Sequence, residues 1–148
     1  MTHVHPRDPE VPVNDTQQHT PAKRTVHTPN AVLPVGPFPQ AVHAGDYLFI
    51  SGTVPYDSET GQTVEGGIEE QTAHVMGSLR AILEAAGGTL DDLVKVTIHM
   101  KDVDDWARMN AVYRTYFGDY LPARMTMQSP PPLGFLVDID AIAYLPAG

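Results

Sequence analysis

Leu93-Val94-Lys95-Val96-Thr97-Ile98-His99-Met100 alternates apolar and polar residues with a period of two, the spacing that sends successive side chains to opposite faces of a strand. The alternation predicts a half-buried strand with Val94, Val96, Ile98 and Met100 on one face and Lys95, Thr97 and His99 on the other. The segment before it keeps a different period. Between Ile68 and Ala86 the apolar residues Ile68, Val75, Leu79, Ile82 and Leu83 fall on one face of an amphipathic helix, which Gly87-Gly88 ends as a C-terminal cap. After the strand, Asp104 or Asp105 opens a second helix with Trp106, Met109, Tyr113, Tyr116 and Phe117 as its apolar face, and Gly118 closes it. An aromatic stripe at that spacing reads as core rather than as a cofactor contact.

Working outward, Arg24-Thr25-Val26-His27 reads as a short strand, and the four prolines and Gly36 between Pro29 and Pro39 forbid regular structure. Ala41-Val42-His43-Ala44 and Tyr47-Leu48-Phe49-Ile50-Ser51-Gly52-Thr53 flank Gly45-Asp46 as a hairpin, and Asp57 to Gly67 reads as a loop. On the other side, strands are expected at Ala123 to Ser129 and, after the turn-rich Pro130 to Gly134, at Phe135 to Tyr144. The order strand, strand, strand, helix, strand, helix, strand, strand fits an α+β fold, a mixed sheet with both helices packed on one face. The strands Leu48 to Thr53 and Phe135 to Tyr144 carry apolar residues on both alternation sets. Burial of the face opposite the helices in a homo-oligomer is therefore expected.

The chain has 148 residues, 42% of them hydrophobic, enough for one domain with a real core. That domain is expected over residues 23–148. Residues 1–22, rich in Pro, His, Thr, Asp and Gln without apolar periodicity, read as a flexible arm whose His3, His5 and His19 are polar residues rather than metal ligands. With 18 Asp and Glu against 9 Lys and Arg, a net charge of −9 and no basic run, nucleic acid is disfavoured as a partner. The absence of cysteine rules out a disulfide framework, a thiolate nucleophile and a cysteine-bearing zinc site. No apolar stretch approaches the roughly 20 residues that span a bilayer, and Met1 to Arg7 lacks the apolar segment of a secretory signal, so the expectation is a cytoplasmic protein with no membrane partner.

Against this acidic background, Pro122-Ala123-Arg124-Met125-Thr126 and Val137-Asp138-Ile139-Asp140-Ala141-Ile142-Ala143 place an arginine near a carboxylate-bearing strand. A guanidinium presents a fixed fork of donors that matches a carboxylate, so Arg124 is a candidate site for a small anion. Asp138 and Asp140 share a side of their strand, a pattern found on solvated faces as well as in catalytic pairs. Nothing in the sequence brings His43, His74 and His99 together, and each reads as a surface or satisfied core histidine.

Gly36-Pro37-Phe38-Pro39-Gln40-Ala41-Val42, Ile50 to Pro55, Gly67 to Thr72, Asp92 to Thr97, Asn110 to Tyr113 with Tyr116-Phe117, Pro122-Ala123-Arg124 and Val137 to Ala143 together resemble the RidA/YjgF family of reactive-intermediate deaminases. The ordered set runs over some four-fifths of the chain. The resemblance implies a chorismate-mutase-like fold, a homotrimer with ligand clefts between adjacent subunits, and hydrolysis of enamines and imines such as 2-aminoacrylate and 2-imino acids to 2-keto acids and ammonia, with no metal or organic cofactor. It makes Arg124 the carboxylate clamp and places Thr126, Asn110 and Gly52 at substrate-contacting positions. Two positions depart from the family pattern. Phe38 stands where many members have a tyrosine hydroxyl, and Asp138, one methylene shorter, where family deaminases carry a water-orienting glutamate. Because Phe38 makes the entrance less polar, a substrate with a larger apolar substituent is one expectation. A non-catalytic binder of keto acids is the alternative reading, and the ribonuclease activity attached to some members is disfavoured by the charge.

Overall fold

A computed structural model describes residues 22–146, and the expected arm with its His3, His5 and His19 lies outside them. The strands are β1 (Lys23–Val26), β2 (Ala41–Ala44), β3 (Tyr47–Thr53), β4 (Tyr56–Asp57), β5 (Gln62–Thr63), β6 (Leu93–Met100), β7 (Ala123–Gln128) and β8 (Val137–Tyr144), and the helices are α1 (Ile68–Ala85) and α2 (Trp106–Arg114). Six strands form one sheet in the order β1-β2-β3-β8-β6-β7. Its pairings are antiparallel except β6 with β7, the one parallel pair, whose crossover is α2. The last strand in sequence thus lies inside the sheet, between β3 and β6, and β7 is an edge.

Local chemistry accounts for the helix that anchors the core. Glu70 accepts the Gly67 N–H at 2.8 Å, and Glu69 and Glu70 sit in the first turn of α1, where the helix dipole favours negative charge. At the other end Gly87 takes φ +91 and the Gly88 N–H closes on the Leu83 carbonyl at 2.8 Å, satisfying a carbonyl that the helix itself leaves free. All five residues of the expected apolar stripe are buried, with Val75, Leu79 and Leu83 completely so. Each such side chain contributes about 1.5–3 kcal/mol relative to exposure. They pack with Met109, Tyr113 and Phe117 of the α2 region against Leu48, Ile50, Val96, Ile98, Ile139 and Ala141 of the sheet, so both helices cover one face.

Several details depart from the pattern read in the sequence. The β6–β8 register shifts between Leu93 and Lys95, so Leu93 is fully buried and Val94 is not, an irregularity that period-two alternation cannot display. Asp105 stands at the N-cap of α2 as expected, but without a side-chain capping bond; that contact falls one turn earlier, where Asp102 accepts the Asp104 N–H at 2.9 Å ahead of a 3₁₀ turn at Val103–Asp105. Trp106, the first residue of α2, remains 48% exposed. The helix ends at Arg114 rather than Gly118, and Arg114 Nη1 donates to the Phe117 and Gly118 carbonyls beyond it. Strand β8 starts at Val137 rather than Phe135, and the expected loop after Asp57 carries the small β4–β5 ribbon.

At its β3 and C-terminal β8 end the opposite sheet face is apolar, and no helix among the described residues covers it. Tyr47, Phe49 and Tyr144 are 45%, 46% and 45% exposed, and their rings cluster at centroid distances of 6.5 Å (Tyr47–Phe49) and 5.6 Å (Tyr47–Tyr144). No helix among the described residues is long and apolar enough to cross a membrane.

Candidate functional site

The six candidate site residues fall into two groups, divided by strand register. Arg124 and Thr126 pair with Val96 and Ile98 of β6 across the parallel β6–β7 ladder, so they share the helix-facing side of the sheet with those buried residues. Asp138 pairs with His99, which places it on the opposite face. Strand β6 lies between the arginine's strand and the acid's.

The first group sits where edge strand β7 meets α2. The Arg124 guanidinium carbon is 5.0 Å from the centre of the Tyr113 ring, a cation–π arrangement that holds the fork in place without occupying its donors. Arg124 forms no ion pair among the described residues. Asn110, one helical turn before Tyr113, belongs to the same stretch of α2. Burial pushes the Tyr113 phenol up from its ordinary range, with the Arg124 charge pulling the other way.

The second group surrounds a cleft of about 380 Å³ beneath the loop before β2. Phe38, Val35, Gly52, Pro132 and Asp138 line it. The loop is pinned from below: Ser51 Oγ–H donates to the Pro39 carbonyl at 2.7 Å, and the Gln40 amide donates to the Thr28 and Val32 carbonyls while accepting the Thr28 N–H. Thr53 Oγ1–H is likewise turned back, onto the Ser51 carbonyl. The β3–β8 register breaks between Ile50 and Thr53, and in that irregular stretch Gly52 faces Asp138 so closely that a Cβ there would lie 2.9 Å from Asp138 Oδ1. Burial holds the Asp138 carboxyl above the usual carboxylate range; His99 and the Thr53 backbone N–H oppose that shift, and Asp140 adds to it.

Among the described residues, five buried side-chain polar atoms lack a hydrogen-bond partner, and four of them are Asn110 Oδ1, Tyr113 OH, Thr126 Oγ1 and Asp138 Oδ1. Folded proteins rarely leave such atoms unpaired, so their concentration here marks surfaces built to meet something else. Arg124, Thr126 and Asn110 lie where β7 meets α2, Phe38, Gly52 and Asp138 lie around the cleft, and one chain does not bring the two groups together.

A family model described as Endoribonuclease L-PSP matches residues 28–145, most of the chain and all six candidate residues. The chain belongs to the RidA/YjgF family. A RutC family protein of Pyrococcus horikoshii is 48% identical over 123 residues, covering 82% of this chain and 98% of its own. A mouse relative named 2-iminobutanoate/2-iminopropanoate deaminase is 38% identical, covering 82% of this chain and 90% of its own. The crystal structure of RidA from an Antarctic Psychrobacter species is 36% identical, with a TM-score of 0.79, covering 82% of this chain and 99% of that one. The mixed sheet with two helices on one face is thus the RidA fold. In this RidA/YjgF chain, Tyr113 lies in the core as the aromatic stripe predicts, and its spacing of three from Asn110 puts both on one face of α2. The sequence gives no sign of the place of His99 opposite Asp138, because that register depends on pairing between β6 and β8.

Proposed function

We propose that this chain is a hydrolytic deaminase of reactive enamine and imine intermediates, working in clefts formed where one subunit's Arg124 half meets another's Asp138 half in a homotrimer. The observation that carries the reading is the pair of complementary, unfinished half-sites in a chain 38% identical to a protein named as an imine deaminase. The exposed Tyr47, Phe49 and Tyr144 face supplies apolar surface for such an assembly.

In this reading Arg124 takes the substrate carboxylate through its free fork, and Asn110 and Thr126 supply polar contacts beside it. The C=N carbon of a protonated 2-imino acid is already electrophilic, so positioning does most of the work. Asp138 accepts a hydrogen bond from water and takes its proton as the oxygen attacks that carbon. Asp138 then returns that proton to the carbinolamine nitrogen, the hydroxyl gives up its own proton as the C–N bond breaks, and ammonia leaves with the 2-keto acid as the other product. Apart from Asp138, the side-chain polar groups Gln40, Ser51 and Thr53 of its cleft are turned back onto backbone carbonyls, and Phe38 and Val35 form apolar walls. That balance favours 2-imino acids with an apolar substituent over polar ones. RNA is a poor fit to a chain of net charge −9.

The test generates imines in situ with an amino-acid oxidase and follows their capture by semicarbazide. Wild type is expected to deplete the imine before capture, and Arg124→Ala to lose that effect. A wild type that accelerates the loss of no imine would overturn the reading. If the Arg124 and Asp138 groups, separate within one chain, do not meet across subunits, the second reading applies, a carboxylate binder without a water site, which calorimetry would register as keto-acid binding without hydrolysis.

A further inference from the structure

On the sheet face away from the helices, His99 stands between two carboxylates. It is in register with Asp138 across the β6–β8 ladder, and its Nε2 lies 3.7 Å from Asp140 Oδ2 on the diagonal. Directly opposed residues of an antiparallel pair bring their Cβ atoms to about 4.5–5.5 Å, so the imidazole meets Asp140 and stands across the ladder from Asp138, whose carboxylate leans toward Gly52. The acids differ in their surroundings. The Asp140 side chain is 45% exposed and can be hydrated. Asp138 lies against Gly52 with Oδ1 buried and unpartnered, so its negative charge has little water to rely on.

The neighbouring strands offer few other charges to this pair. On β6 the next titratable residue of the same face is Lys95, whose register partner on β8 is Ile142, two residues beyond Asp140. On β7 the residues of this face are Met125 and Met127, neither of which titrates. On β3 the nearest segment is Ser51-Gly52-Thr53, without charge, and the face continues to Tyr47 beside Tyr144. Within the described residues His99 is therefore the basic side chain in register with Asp138 on this face. The group is no metal site, since no trio of His, Asp and Glu there converges on an ion.

We propose that His99 is a positioning residue that acts through Asp138: held against Asp140 and opposite Asp138 in the β6–β8 register, its side chain favours the charged Asp138 carboxylate facing the cleft where the attacking water is held. The inference rests on the deaminase reading for the water, but the effect of His99 on Asp138 belongs to the chain itself. Removing the imidazole leaves two carboxylates on one face with only each other. The ionised form of Asp138 then survives only at higher pH.

The experiment follows kcat against pH for wild type, His99→Gln and His99→Lys, together with the 13Cγ resonance of Asp138 through the same titrations. In His99→Gln the acid limb of kcat and the carboxyl midpoint are both expected to move up by about one pH unit, the size of effect a neighbouring charge produces. His99→Lys, which puts a basic group at that position, is expected to restore both toward wild type, a rescue that lost packing alone would not give. An Asp138 resonance that titrates identically in wild type and His99→Gln would overturn the proposal. If wild type hydrolyses no imine, the deaminase reading falls, and the resonance still decides what His99 does to Asp138.

Discussion

Arg124 and Asp138 stand on opposite faces of one sheet, with β6 between their strands. No rotamer change brings a guanidinium through a packed sheet, so a site using both must take them from different copies. Co-expression of Arg124→Ala and Asp138→Asn chains tests this directly. In a threefold ring every mixed trimer then holds one cleft with both groups intact, so random assembly at equal amounts returns about a quarter of wild-type turnover. Each variant alone stays inactive. Mixed trimers without activity would show that the two residues do not share a cleft.

The Arg124 fork lies 5.0 Å over the Tyr113 ring with its donors unspent. A lysine keeps the charge but loses both the planar stacking and the bidentate geometry. Arg124→Ala is therefore expected to lower kcat/KM on the order of a hundredfold or more, and Arg124→Lys on the order of tenfold, the scale of one or two charge-assisted hydrogen bonds. Steady-state kinetics on an imine series measures both. A lysine variant indistinguishable from wild type would mean the site needs only a positive charge.

Much of the frame could be read from local periodicity, because a helix face and a hairpin are written in residues close together. The stripe from Ile68 to Leu83 and the hairpin at Gly45-Asp46 both appear in the structure. Long-range pairing is a different matter. That β8 enters between β3 and β6, leaving Arg124 on an edge strand two places away, depends on contacts far apart in sequence. Arg124 and Asp138 could be picked out as chemistry, but not as residents of opposite faces. The burial of Leu93 in place of Val94 was hidden for the same reason, since a register shift belongs to two strands and not to one.

Gly52 leaves room for the Asp138 carboxylate, and a Cβ there would come within 2.9 Å of Oδ1. Its backbone is not among the positive-φ glycines, so alanine carries no conformational penalty of that kind. Gly52→Ala is expected to displace the carboxylate while leaving the fold intact. A shift on the order of 1 Å at a reacting group costs about a hundredfold in rate. The expected result is a fall in kcat of that order with keto-acid binding through Arg124 retained and thermal stability little changed. Equal loss of binding and turnover would instead mean that Gly52 contacts the ligand itself.

Burial raises the Asp138 carboxyl above its ordinary range, so the folded chain binds that proton more tightly than the unfolded chain. Above the folded midpoint the charged, half-buried carboxylate weakens the fold. As pH falls through that midpoint the penalty is relieved, and below the ordinary aspartate value, about 3.9, both states are protonated and the difference no longer changes. Asp138→Asn keeps the shape and removes the charge, so it is expected to melt a few degrees above wild type at neutral pH. The gap should close as the buffer approaches about pH 3. Thermal unfolding at fixed protein concentration across that range measures it, and the same variant should be the less active one, stability having been held below its optimum where the chemistry needs a charge. A gap that stays constant with pH would place the variant's effect in packing rather than in the ionisation of Asp138.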